Sequence, residues 1–243
     1  MIYHFLRQII KVALFFFFKK IVVSGKENRL DEGPLILVAN HPNTLMDPLI
    51  IGSLMKQQIG FLANAGIFSN ALFTRILKYF HVIPVFRKKD IPKGEKPDNK
   101  YSFFKCHEFL DQKGTLLIFP EGNSYYELKL REIKTGTARI ALSYESLKGF
   151  DKKLKILPIA LDYSDSIQFR SMVSVTIGEA ISVQAFKQMF IEDEVKGVSA
   201  LTETIHEQLE KHIPNTDNKE QEQFLLKSHK FYTTFNDPKG DLH

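Results

Sequence analysis

Short runs of apolar, strand-forming residues recur along the chain, each followed by polar loop residues and then by helical spacing. The runs are residues 35–39 (LILVA), 59–63 (IGFLA), 82–86 (VIPVF), 115–119 (TLLIF), 155–161 (KILPIAL) and 173–178 (VSVTIG). Most lack the alternation of a half-solvated strand, so they predict strands buried on both faces. Helical patterns fill the intervals at residues 47–55, 69–80, 99–112, 136–148 and 195–212. In the last of these, Val198, Leu201, Ile205 and Leu209 make one apolar stripe. Asp47-Pro48 reads as the N-cap and first-turn proline of the helix at 47–55. Strands alternating with helices predict an α/β fold, a mixed, largely parallel central sheet flanked by helices.

The first twenty residues, MIYHFLRQIIKVALFFFFKK, carry a different pattern. The uninterrupted apolar run covers only residues 12–18, whereas a spanning helix needs about 20 residues. His4, Arg7, Gln8 and Lys11 share one helical face, and Ile2, Phe5, Leu6, Ile9, Ile10 and Ala13 cover the rest. This predicts an amphipathic helix in a membrane interface, with Lys19 and Lys20 toward acidic headgroups. An ordinary core helix is the alternative. A secretory signal fits less well, because the lysine pair interrupts the path to a cleavage site. Phe15 to Phe18 point around the whole helix circumference, which predicts burial in protein or lipid. Residues 88–100 are polar, basic and proline-containing and read as a loop. The predicted organisation is a membrane-anchoring amphipathic helix at 1–22, one α/β domain at 23–213, and a polar tail or docking helix at 214–243.

Composition narrows the class. The chain has 243 residues, 44% of them hydrophobic, enough for one sizeable core. The net charge of +5 and the pI of about 9.1 favour anionic partners such as phosphate groups or acidic lipids. No zinc-finger, RNA-binding or basic-zipper pattern occurs, so nucleic acid is not the expected partner. The single cysteine, Cys106, excludes an intramolecular disulfide framework and fits a reducing compartment. No HExxH or Cys/His cluster calls for a metal.

Three predicted strand ends are followed by residues able to do chemistry, and such ends are where ligands gather in open α/β sheets. NHPNTLMDP, residues 40–48, holds His41 and Asp47. Neutral imidazole can take a hydroxyl proton near pH 7, and a carboxylate on its other nitrogen improves it as a base. The plainer reading is an Asp47 that caps its helix and a His41 that serves loop carbonyls. Arg87 follows VIPVF and can clamp a phosphate through two N–H groups; a solvated basic loop is the alternative. PEGNS, residues 120–124, offers Glu121 and a Gly122 turn, or simply an exposed β-turn. Lys129, Arg131 and Lys134 add positive charge downstream.

Taken in order, NHPNTLMDP, IPVFRKKD, FPEGNSYYELKLREIKTG and ILPIALDY resemble the blocks of the glycerolipid acyltransferase family. The resemblance covers about residues 20–180 and includes the approach VSGKENRLDEGPLILVANH. It implies that His41 is the general base and Asp47 its orienter. Arg87 is then the phosphate ligand, Glu121 and Gly122 shape the acceptor site, and Pro158 belongs to the fourth block. The donor implied is acyl-CoA or acyl-carrier protein, with no cofactor, metal or acyl-enzyme. The acceptor implied is glycerol 3-phosphate or 1-acylglycerol 3-phosphate, in phospholipid biosynthesis. The location implied is the cytoplasmic face of a membrane, peripheral or monotopic. Two features depart from the commoner pattern. Five residues rather than four separate His41 from Asp47, and Ser124 stands where the family places a phosphate-binding arginine. The cationic role then falls to Arg87 with Lys129, Arg131 or Lys134, or the acceptor is a phosphate-free lysolipid. A non-catalytic lipid-binding protein of the same fold is the rival from another class. A serine hydrolase does not fit, because GNSYY lacks the second glycine of a nucleophile elbow.

Overall fold

The computed structural model describes residues 2–68, 70–86, 98–127, 129–214, 216, 220–221 and 224. Arg87 and most of the segment 214–243 lie outside the described residues. The chain runs α1 (Ile2–Phe17), β1 (Lys20–Ser24), β2 (Leu35–Ala39), α2 (Met46–Leu54), β3 (Ile59–Asn64), α3 (Ala71–Tyr79) and β4 (Val82–Val85). It continues α4 (Lys100–Asp111), β5 (Thr115–Ile118), α5 (Gly136–Leu147), β6 (Lys155–Tyr163), β7 (Met172–Ile177), β8 (Ile181–Ser182), α6 (Lys187–Glu192) and α7 (Glu194–Glu210). Among the described residues the sheet has eight strands in the order β1-β7-β6-β2-β5-β3-β4, with β8 also on β6. β6 meets β7 and β8 antiparallel; the other pairings are parallel. The sheet is therefore mixed and largely parallel, as the alternation of strands and helices predicts.

β2 shows why the central runs are continuously apolar. Ile36 and Val38 point into one core layer, where α4, α5 and α7 supply Cys106, Leu110, Ala141, Leu201 and Ile205. Leu35, Leu37 and Ala39 point into the other, with Ile50 and Ile51 of α2 and Leu14 of α1. All five β2 side chains are buried. The edge strand β1 was not among the predicted strands. Its five residues alternate between exposed and half-buried, and it joins the sheet through β7. β8 and α6 are two and six residues long, too short for a periodic signal.

α1 combines the two readings open for the amino terminus. Its inner side belongs to the core: Leu14 is 3% exposed, and Phe18, just past the helix, is 2% exposed. Arg7 lies against the end of α2 and donates to the carbonyls of Met55 and Lys56 at 2.7 and 2.8 Å. On the outer side Phe5, Ile9, Val12, Phe15 and Phe16 are all exposed. The four consecutive phenylalanines thus divide between core and surface, because the helix stops at Phe17 and the chain turns into β1 at Lys20. β1 begins inside the 1–22 segment read as amphipathic helix. Among the described residues no helix is long and apolar enough to cross a membrane.

The division of the phenylalanines sets an expected outcome. Phe18→Ala removes a buried ring and should lower unfolding free energy by about 3 kcal/mol. Phe16→Ala should change it by under about 0.5 kcal/mol in the absence of lipid. Urea denaturation of the two variants checks this; equal losses would place Phe16 in the core as well.

Candidate active site

The loop after β2 is built by its own polar residues. Asn40, 5% exposed, extends the β2–β6 ladder with its side chain. Its Nδ2 donates to the carbonyl of Leu161, and its Oδ1 accepts from the amide of Leu161, both at 2.8 Å. The backbone of His41 is held by the loop after β5. Glu121 Oε1 accepts from the His41 amide at 3.3 Å. The His41 carbonyl accepts from Ser124 Oγ at 2.8 Å and from the Tyr125 amide at 3.0 Å. The imidazole stacks on Phe119, with ring centroids 3.8 Å apart and planes 12° from parallel.

His41 Nδ1 and Asp47 Oδ2 stand 2.8 Å apart. The five intervening residues therefore still bring imidazole and carboxylate together. Asp47 has no solvent exposure. It accepts from the Asn43 amide at 2.7 Å and, on Oδ1, from the Tyr163 hydroxyl at 2.6 Å. Burial pushes the Asp47 carboxyl above its usual range, opposed by the bonds from His41, Tyr163 and Asn43. With a carboxylate accepting at Nδ1, the neutral ring carries its proton there and leaves the Nε2 lone pair for a substrate.

The reading of Asp47 as an N-cap is corrected by these contacts. α2 begins at Met46, one residue earlier. Asn43 turns the chain into the helix instead, its Oδ1 accepting from the Leu45 and Met46 amides at 3.3 and 3.1 Å. Asp47 sits inside the first turn with its carboxylate turned back onto the loop.

The other sequence-predicted residues fall as follows. Glu121 is buried beside His41, and burial raises its carboxyl to about 7. Gly122 has φ +74°, a backbone that favours glycine, and a Cβ there would lie 2.5 Å from Lys134 Nζ. The Lys134 ammonium thus covers the Gly122 turn, and the Lys134 amide donates to the Pro120 carbonyl at 2.9 Å. Ser124 bonds the His41 carbonyl. Arg131 pairs with Glu127 at 2.6 Å and lies over Tyr125. A pocket of about 190 Å³ opens beside the His41 loop, lined in part by Asn40, Pro42, Tyr163, Ser166 and Ile167. Among the described residues no group of three or more His, Cys, Asp or Glu side chains is placed to hold a metal. Sequence reasoning missed Tyr163, Asn43 and Phe119. Tyr163 lies just past the predicted strand 155–161, and a polar ring at the end of a strand next to β2 was the available signal.

Comparison with known proteins places the chain in a family. Residues 20–162 match the family model described as Acyltransferase. Glycerol-3-phosphate O-acyltransferase 2 of Saccharomyces cerevisiae is 33% identical over 113 residues, covering 46% of this chain and 15% of that protein. Glycerol-3-phosphate O-acyltransferase 1 of the same yeast is 32% identical over 88 residues, 36% of this chain and 12% of that protein. The chain therefore matches under a fifth of the length of these curated relatives. The crystal structure of the 1-acyl-sn-glycerophosphate (LPA) acyltransferase PlsC from Thermotoga maritima shares the fold. Its TM-score is 0.62 at 19% identity, over 86% of this chain and 77% of that one.

The buried carboxyls give a pH dependence. Glu121 takes up its proton near pH 7 in the folded chain and near 4.5 when unfolded. Its contribution to stability is full below about 4.5 and declines as pH rises through about 7. Asp47, also raised, adds to the same slope. Glu121→Gln should flatten the decline between about pH 5 and pH 8 by roughly 2 kcal/mol relative to wild type. Thermal melts at the two pH values measure this; parallel curves would show a Glu121 that titrates in the ordinary carboxylate range.

Proposed function

The chain belongs to the glycerolipid acyltransferase family, and from that premise we propose that it transfers a fatty acyl group from a thioester to a hydroxyl of a glycerol-phosphate type acceptor. The donor is acyl-CoA or acyl-carrier protein, and the acceptor is glycerol 3-phosphate or 1-acylglycerol 3-phosphate. The observation that carries the reading is the 2.8 Å contact between His41 Nδ1 and a fully buried Asp47. It leaves Nε2 of a ring already fixed by Phe119 as the proton acceptor.

In this reading His41 Nε2 takes the acceptor's hydroxyl proton as its oxygen attacks the thioester carbonyl. The tetrahedral centre collapses with formation of the ester and cleavage of the carbon–sulfur bond. The proton passes from His41 to the departing thiolate. Asp47 stabilises the imidazolium between the two steps, and Tyr163 and Asn43 hold Asp47 in place. No acyl-enzyme, cofactor or metal takes part. Lys134 over the Gly122 turn offers positive charge for the acceptor's phosphate where Ser124 replaces the family's arginine. Arg87 is assigned to the same phosphate from the sequence alone. The protein works at a membrane surface on the cytoplasmic side, docked through the outward apolar face of α1.

Three outcomes are expected. His41→Ala should reduce turnover by about 10²-fold or more. Tyr163→Phe, which removes one donor from a buried carboxylate, should cost about tenfold in kcat with KM little changed. Lys134→Ala should raise KM for glycerol 3-phosphate and 1-acylglycerol 3-phosphate but leave a phosphate-free lysolipid unaffected. Thiol release from acyl-CoA, or from acyl-carrier protein in parallel, follows all three variants. A His41→Ala protein as active as wild type removes the general-base role. Acylation confined to the phosphate-free lysolipid removes the phosphate acceptor.

A further inference from the structure

The connection between β6 and β7, residues 164–171, carries two large apolar side chains into solvent: Ile167 is 73% exposed and Phe169 is 61% exposed. The loop is internally fixed. Asp165 Oδ1 accepts from the Ile167 and Gln168 amides at 3.1 and 3.2 Å, and the Ser171 amide donates to the Gln168 carbonyl.

The loop is bound on one side to the end of α1. The Arg170 amide donates to the Phe17 carbonyl at 2.8 Å, and the Lys19 amide donates to the Ser171 carbonyl at 2.9 Å. The rings of Phe17 and Phe169 meet edge to face with centroids 5.6 Å apart. Phe15 and Phe16, on the same last turn of α1, are 72% and 64% exposed. On its other side the loop is bound to the His41 loop, where Asn43 Nδ2 donates to the Ser166 carbonyl at 2.5 Å. Ser166 and Ile167 also line the pocket beside Asn40 and Pro42. One short loop therefore joins the exposed aromatic end of α1 to the rim of the site.

We propose that residues 164–171 are a second lipid-docking element that seats with α1 on an anionic bilayer, so that the pocket beside His41 opens at the lipid surface. This extends the membrane reading given above for α1 and rests on it. Charge selects the occupant. The first 26 residues contain no Asp or Glu, and Lys11, Lys20 and Arg170 are exposed around the aromatic patch. Aromatic and aliphatic side chains with a basic rim suit an anionic interface. A second copy of the chain would set these cations against their own equivalents across a two-fold axis.

The chain has no tryptophan, so Phe169→Trp and, separately, Phe16→Trp each introduce a single indole. Each full-length variant is titrated with vesicles of phosphatidylcholine, with and without phosphatidylglycerol. Both indoles should shift their emission to shorter wavelength, more strongly with phosphatidylglycerol, and both should be quenched by brominated acyl chains. The double variant Ile167→Ser, Phe169→Ser should bind the anionic vesicles at least about tenfold more weakly. A shift at position 16 with none at 169 overturns the proposal while leaving α1 docked. No shift at either position overturns both. A shift at 169 that depends on protein concentration and needs no vesicles assigns the surface to a second copy. The readout is optical and independent of acyl transfer, so failure here and failure of the acyltransferase reading come apart.

Discussion

A carboxylate with no contact with water has to be held by donors, and the arrangement around Asp47 is organised by that requirement. An unpaired charge in such a place would cost several kcal/mol. Three donors meet it: the His41 ring, the Tyr163 hydroxyl and the Asn43 amide. They come from the loop after β2 and from the carboxyl end of β6, strands that lie side by side in the sheet. The same neighbourhood explains the other half of the site. β5 flanks β2 on its opposite edge, so Phe119, Glu121 and Ser124 arrive at His41 from that side. Strand order alone thus places β2 at the centre, with the histidine that follows it between a buried carboxylate and a stacking ring.

His41 is constrained at every polar backbone atom before any substrate arrives. Its amide, its carbonyl, one ring nitrogen and one ring face all have partners. In the proposed reaction, an imidazole fixed in this way does not reorganise during proton transfer, which is the condition under which positioned groups accelerate reactions. It also explains why Glu121 and Ser124 stand so close to His41 in the fold and so far from it in the chain. Both hold the backbone that carries the ring, whatever else they do for an acceptor.

Much of this was legible in the residue pattern. The continuous apolar runs marked the strands that are covered on both faces, and the resemblance of NHPNTLMDP to a family block implied the His41/Asp47 pair, which its own residues left open. What was not legible has physical causes. β1 is a half-exposed edge strand, so it has neither a buried run nor a clean alternation. Asp47 followed by proline looks like a cap because local geometry is all that a short window reports. Its most distant partner, Tyr163, is 116 residues away, and only the β2–β6 pairing brings it near. Phe119 was counted as the last residue of a strand, although its ring stacks on the histidine. Arg87, assigned to phosphate by resemblance, lies outside the described residues.

α1 cannot be treated as a detachable anchor. Its inner face fills one of the two core layers, and Phe18 packs against Tyr163 with ring centroids 6.0 Å apart. Tyr163 in turn holds Asp47, which holds His41. The amino-terminal segment is therefore three contacts from the imidazole. Removing it would uncover the ring that orients the carboxylate, and removing residues 1–22 would also take away three of the five residues of β1. Loss of activity in a truncated chain would then follow from a disturbed site as readily as from lost membrane contact. The exposed stripe of Phe5, Ile9, Val12 and Phe16 has no such connection, because its side chains point away from the core. The proposed membrane attachment is therefore separable from the proposed proton transfer by substitutions on that outer face rather than by truncation, because apolar surface is exposed there without serving the fold.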